Sequence, residues 1–261
     1  MKPELFSIIM YPTVDLNQRE VLGHILDAFE ATEKFTPTHW GSNEMVKIGY
    51  NRNEIFEKVF SVCGISEVHL YRNKTVKFSG SFELNMSSRS FLKFDFHKSM
   101  PRILWPTFFE LSDKIAEIVK PSYGVTHIFG ESYYPWSNEH QKQHIWMDAC
   151  SYPVPVQFLQ NGPLGVGSRT YFGSYILDMI DREVLLNSPG VVSKLNWGGI
   201  GIDIFNGSFE TKEDRLIDNW LRVMKYLEPS QIFAIPSFDE DRMGVSFHPN
   251  IVWKEYLRRT I

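Results

Sequence analysis

The chain has 261 residues, 43% hydrophobic, 15% aromatic and 22% charged, a composition suited to a globular protein of one large or two small domains. Its net charge of −4, with no cluster of Lys and Arg, argues against a surface that tracks nucleic-acid phosphates, and the balance is not acidic enough to imitate DNA over a whole face. Cys63 and Cys150 stand in apolar neighbourhoods without CxxC or Cys/His spacing, which disfavours a disulfide framework or zinc ribbon and fits a reducing, cytoplasmic setting.

The chain opens with a short apolar run, Phe6 to Met10, followed by Asp15, Arg19 and Glu20 without a small-residue cleavage site, so no signal peptide is expected. Nowhere do apolar residues run on for the roughly 18 positions a membrane helix needs. From Gln18 to Lys34, Val21, Leu22, Ile25, Leu26 and Phe29 fall at helical spacing, and Pro37 and Gly41 end the pattern. A second helix is predicted from Asn53 to Phe60, with Ile55, Phe56, Val59 and Phe60 inward and Gly64 as its stop.

The period then changes to two. Val68 and Leu70, then Val76, Phe78, Gly80, Phe82 and Leu84, then Leu92, Phe94 and Phe96 alternate with polar residues, as antiparallel strands with one buried face do. Trp105 to Lys120 returns to helical spacing, Pro121 breaks it, and Val125 to Phe129 reads as a strand. Further on, Val191 to Trp197 and Ile200 to Phe205 form a candidate hairpin around Gly198 and Gly199. Leu216, Trp220, Val223, Met224 and Leu227 mark a helix ending at Glu228-Pro229-Ser230, with a strand expected at Ile232 to Ile235.

Both IVKPSYGVTHIF (118–129) and YLEPSQIFAI (226–235) place Pro-Ser between a helix and an apolar strand. The pattern reads as two related α+β halves, 1–160 and 161–261, or as ordinary use of proline as a helix terminator. The expected class is α+β, antiparallel sheet with flanking helices, the halves packed as one unit.

The segment NGPLGVGSRTYFG (161–173) has the glycines of an active-site loop but neither a GxxxxGK[ST] phosphate wrap nor a strand-GxGxxG-helix unit, so a shaped surface is expected there. His140 and His144 have the i, i+4 spacing of a zinc pair, but Gln141 stands where HExxH carries its catalytic glutamate. Asp239, Glu240 and Asp241 lack the alternating DxDxDG ligand spacing and adjoin Arg242; they read as a solvated acidic turn or as a contact patch for a basic partner. There is no GxSxG elbow, and the SxxK match at Ser90 to Lys93 lacks its companion motifs. Trp40 and Trp197 are expected in the core, whereas Tyr133, Tyr134 and Trp136, beside Pro135, suit exposure.

FTPTHWG, the SGSF strand, the Trp-Pro that opens a helix, YPW, PVPV, NGPLGVGSRTYFG, LNWGG and SFDEDRMGVSF occur in this order, within residues 30–257. In that ordered set the chain resembles the bacterial polymorphic-toxin immunity proteins, specifically the immunity protein fifty-two family. The resemblance implies a cytoplasmic antitoxin, often against a type VI secretion effector, whose cognate toxin carries a nuclease domain of restriction-endonuclease type. It implies no catalytic residue, cofactor or metal, and no direct contact with nucleic acid or membrane. Against a basic DNA-cutting groove, Asp239, Glu240 and Asp241 are the first contact candidates and Tyr133, Tyr134 and Trp136 the aromatic anchors. The rival readings are a metal-dependent hydrolase using His140 and His144, and a structural subunit of another assembly.

Overall fold

The Phe6 to Met10 run belongs to strand β1 (Leu5–Tyr11), which lies in the middle of the sheet with residues 6–11 all buried. A strand covered on both faces can be apolar at nearly every position, which is why this segment does not alternate. The computed structural model describes residues 2–85, 87, 90–132, 135–152, 160–205, 213–239 and 244–260.

The helices are α1 (Arg19–Glu30), α2 (Arg52–Val59), α3 (Trp105–Val119), α4 (Glu139–Cys150), the short α5 (Ser174–Met179) and α6 (Arg182–Leu186), α7 (Glu213–Leu227) and α8 (Ile251–Thr260). The remaining strands are β2 (His39–Gly41), β3 (Ile48–Gly49), β4 (Glu67–Arg72), β5 (Phe78–Glu83), β6 (Leu92–His97), β7 (Tyr123–Phe129), β8 (Arg169–Phe172), β9 (Val191–Lys194), β10 (Ile200–Asp203), β11 (Ile235–Asp239) and β12 (Gly244–His248). Ten strands form one antiparallel sheet in the order β3-β2-β4-β5-β6-β1-β7-β8-β10-β9, and β11 and β12 form a separate two-stranded sheet. The protein is therefore α+β, and its main sheet runs without a break from strands before residue 160 into strands after it.

On one face of the sheet, Phe6, Phe78, Phe94 and Phe96 meet Phe29 of α1 and Trp105 and Phe108 of α3. Edge and tilted ring contacts at 4.6–5.6 Å close this layer. Such pairs add about 0.5–1.5 kcal/mol each beyond the area they bury. Helix α3 ends with Lys120 in the left-handed region, φ 43°, just before Pro121. Thr13 caps that end, its N–H donating to Val119 O at 3.1 Å and its hydroxyl to Lys120 O at 2.6 Å.

The other face is covered over β7, β8 and β10 and open over β4 to β6. Its cover is the glycine segment, in which residues 161–168 are all buried. The expected shaped surface is thus an internal strap between the sheet and the helices α4 and α7. Tyr123 Oη donates to Gly165 O, Trp220 Nε1 to Val166 O at 2.7 Å, and Cys150 Sγ to Leu164 O at 3.1 Å. The glycines are needed for closeness: a Cβ on Gly165 would lie 2.7 Å from Cys150 Sγ, and one on Gly167 2.4 Å from Val125 Cγ1.

Further from the strap, Arg169 of β8 forks onto Asp203 Oδ2 at 2.6 Å and Asp113 Oδ2 at 2.7 Å, and Tyr171 Oη donates to Asp113 Oδ1 at 2.7 Å. Two strands and α3 are tied by one guanidinium, a geometry that lysine could not supply.

Three further expectations differ from the structure. The strand expected at Ile232 to Ile235 begins only at Ile235, because Gln231 is left-handed at φ 55° after the 3-10 turn Glu228–Ser230 and Ala234 N bonds Pro163 O on the strap. Val76 is not in a strand; its φ is 61°, and β5 starts at Phe78. Trp40 is buried, but Trp197 is half-buried, its ring lying on Gly199 and Gly173 at the β9–β10 turn, where Gly198 has φ 92°.

Gly167→Val is expected to lower unfolding stability in urea by about 1–3 kcal/mol through overpacking against Val125; a midpoint within error of wild type would contradict the packing of the strap. Burial raises the phenol pKa of Tyr11, Tyr123 and Tyr171 above the ordinary value of about 10. The folded chain then holds protons that the unfolded chain releases, so stability is full below that value and falls as pH rises through it. The ionisation of these buried tyrosines, following that of exposed ones such as Tyr226, should coincide with the loss of circular dichroism; smooth ionisation of all tyrosines before unfolding would refute this.

Candidate partner-binding surface

The two-stranded sheet β11–β12 stands apart from the main sheet, and an isolated hairpin needs outside support to be stable in water. Phe238, on its inner side, supplies the attachment. Trp136 meets its ring edge-on at 6.3 Å, Trp146 of α4 at 5.9 Å, and Lys142 Nζ sits 4.5 Å from its centroid. Trp146 in turn packs edge-on against the buried Trp220 of α7 at 4.9 Å. This aromatic chain connects the hairpin to the core, and α4 is its middle link.

The start of α4 is built by short polar residues. Asn138 accepts from Gln141 N at 3.0 Å, and Gln141 Oε1 accepts from Ser137 N at 2.7 Å and from Ser137 Oγ at 2.8 Å. These bonds satisfy donors that a helix start leaves open. His140 Nε2 lies 2.9 Å from Asp214 Oδ1, joining the first turns of α4 and α7.

The outer face of the hairpin carries Ile235, Ser237, Asp239, Ser246 and His248, all exposed, and the buried Gly244 pairs with Asp239. Asp239 and Trp136 are thus brought into one region, one beyond Phe238 and the other against it. Trp136 is half-buried rather than a free-standing anchor. Glu240, Asp241, Tyr133 and Tyr134 lie outside the described residues.

His140 and His144 do share α4 but not an environment. His140 is 44% exposed, whereas His144 is buried with Met147 and Cys150 and places Nδ1 3.7 Å from Asp148 Oδ2. Among the described residues, no group of three or more His, Cys, Asp or Glu side chains could hold a metal ion.

One constellation was not visible in the sequence. His127 of β7 lies 2.9 Å through Nε2 from Asp148 Oδ1 and 2.8 Å through Nδ1 from Ser168 Oγ. Ser, His and Asp in hydrogen-bonded series resemble a nucleophilic triad. However, Ser168 and His127 have 0% exposure, and Ser168 N–H donates to the same Nδ1 at 3.0 Å. That lone pair is already committed, so the imidazole is the neutral Nε2–H tautomer, and it pins the strap to β7 and α4. The residues lie 21 and 41 positions from His127, and no local motif marks them.

The open half of the sheet is polar and self-paired. Glu67 Oε2 lies 2.8 Å from His69 Nε2, Lys93 Nζ 2.9 Å from Asp95 Oδ2, and Ser7 Oγ donates to Asp95 Oδ1 at 2.6 Å. Burial works against the Lys93 ammonium, but its bonds to Tyr152 and Asp95 outweigh that and hold its pKa above the ordinary lysine value. Charges neutralised within the face leave little for a charged partner to complement.

No family model and no curated protein matches the chain. Among solved structures, its fold is similar to that of the Pseudomonas aeruginosa T6SS protein PA0821, with a TM-score of 0.53 over 98% of this chain and 81% of that one. Sequence identity is 12%, so the likeness is one of fold. Among the described residues, no helix is long and apolar enough to cross a membrane.

Phe238→Ala is expected to cost about 1–2 kcal/mol and to raise hydrogen-exchange rates selectively in residues 235–248. Uniform acceleration over the whole chain, or none in the hairpin, would contradict its attachment through this ring.

Proposed function

We propose that this protein is an immunity protein: a non-catalytic cytoplasmic antitoxin that captures a cognate nuclease effector of type VI secretion by stoichiometric binding. The observation that carries the proposal is the fold similarity to a T6SS protein over 98% of the chain. The ordered motifs that resemble the immunity protein fifty-two family support it from a second direction. Capture needs a preformed surface and no reaction, and the acidic sequence SFDED, which starts on β11, suits a basic toxin groove.

In this reading Asp239, Glu240 and Asp241 contribute charge, Tyr133 and Tyr134 contribute aromatic contact area, and Trp136 contributes both area and support for Phe238. Binding occludes the toxin's substrate groove or blocks an assembly the toxin requires.

The test is co-expression with the product of the adjacent gene. Growth rescue and co-purification are expected, and failure of both would sink the proposal. Asp239→Ala, Glu240→Ala and Asp241→Ala combined should weaken the complex roughly tenfold at low ionic strength, with a smaller deficit at high salt. Unchanged affinity at low salt would remove the acidic run from the interface. Stoichiometric zinc in the purified protein, lost on replacing His140 or His144, would favour a metal-dependent hydrolase instead.

A further inference from the structure

A second surface differs in kind from the hairpin. Between α1 and α3, on the outer side of the helical layer, runs a groove of about 940 Å³. Its floor is apolar: Val14, Val21 and Ile118 are half-buried there and Ala28 is buried. The α1 wall presents Asp15, Glu20 and Asp27, and the α3 wall presents Lys114, Glu117 and Lys120.

Neither arginine near α1 lines this groove, although Arg52 neutralises Asp27 on its wall. Arg19 lies over the rings of Phe56 and Phe60, at 5.1 and 4.7 Å, and Arg52 holds Asp27 at 2.5 Å and Glu30 at 2.6 Å. Among the described residues, Glu20, Lys114, Glu117 and Lys120 form no ion pair. The two walls therefore differ in sign, acidic at Asp15 and Glu20 on the α1 side and mainly basic along α3, over an apolar floor that nothing in the described chain fills.

We propose that this groove receives an amphipathic helix of the partner protein. Its apolar residues lie on Val14, Val21 and Ile118, its Lys or Arg flank faces Asp15 and Glu20, and its acidic flank faces Lys114 and Lys120. A helix fits because the ridges of a third helix pack between two neighbouring ones, and anchors at helical spacing read such a groove. The opposed walls fix the occupant's direction, since reversing it sets like charges together. The partner's identity as the cognate toxin rests on the function proposed above.

The experiment compares toxin binding and growth protection for wild type, the double variant Asp15→Lys with Glu20→Lys, and an off-groove control, Glu33→Lys with Glu57→Lys. The groove variant should bind at least tenfold more weakly while still folded at the assay temperature, with a melting temperature lowered by the loss of the Asn17–Asp15 bond and of the Glu20 charge at the start of α1, and the control should match wild type. Hydrogen exchange on the wild-type complex should show new protection in residues 14–31 and 114–120. Full-strength binding by the groove variant, or protection confined to other segments, overturns the groove while the immunity function stands. Failure of wild type itself to bind or protect overturns both. A concentration-dependent dimer of the isolated protein, broken by the groove variant, would assign the groove to a second copy and also overturn the proposal.

Discussion

The strap at residues 161–168 is the constraint on which the rest of the architecture depends. β1 and β7 are buried on both faces, and leaving either face in water would forfeit the burial that stabilises the sheet. α1 and α3 cover one face; over β7, β8 and β10 the strap covers the other. An irregular segment can be buried only if its backbone groups find partners. Here Tyr123, Trp220, Cys150 and Thr170 take up carbonyls and an amide of the strap, and His127 accepts the amide of Ser168. The glycines let the strap lie close enough to the sheet and α4 for those bonds to form, so the segment most suggestive of a reactive loop works as internal packing.

Positioning then passes outward along aromatic rings. The strap holds Trp220, Trp220 packs on Trp146, Trp146 packs on Phe238, and Phe238 carries the hairpin. A hairpin mounted in this way is rigid at its base and accessible on its outer face. Surfaces used for stoichiometric capture benefit from such preorganisation, because less ordering is left for the moment of binding.

Much of the fold was legible in the sequence because it rests on periodicity. The alternation through Val68, Phe78, Phe82, Phe94 and Phe96 corresponds to β4, β5 and β6, and the helical spacing at Leu22 to Phe29 and Phe108 to Val119 corresponds to α1 and α3. What periodicity could not show is a strand with two buried faces, as at β1, or irregular backbone buried by tertiary hydrogen bonds, as in the strap. Val76 is a third case: its alternation continues that of Phe78, yet its backbone turns into the left-handed region before the strand starts. The link from His127 to Asp148 and Ser168 was hidden for the same reason, since each contact is made by topology and none by local spacing. His140 and His144 show the converse: correct helical spacing put them on one helix without giving them a common environment, because His140 faces Asp214 at the surface and His144 faces the core.

The two candidate surfaces divide the energetic tasks of recognition. Charge at a protein surface raises encounter rates and selects partners more than it holds them, and salt screens it. Apolar area excluded from water holds a complex together and is largely insensitive to salt. Asp239 on the outer face of β11 is charge of the first kind, whereas the floor formed by Val14, Val21 and Ile118 is of the second. The proposed antitoxin role would require meeting a target before substrate is cut and then staying bound. With Asp239 exposed on β11 and an apolar groove on the opposite, helix-covered face of the sheet, the proposed role would have a separate physical means for each requirement.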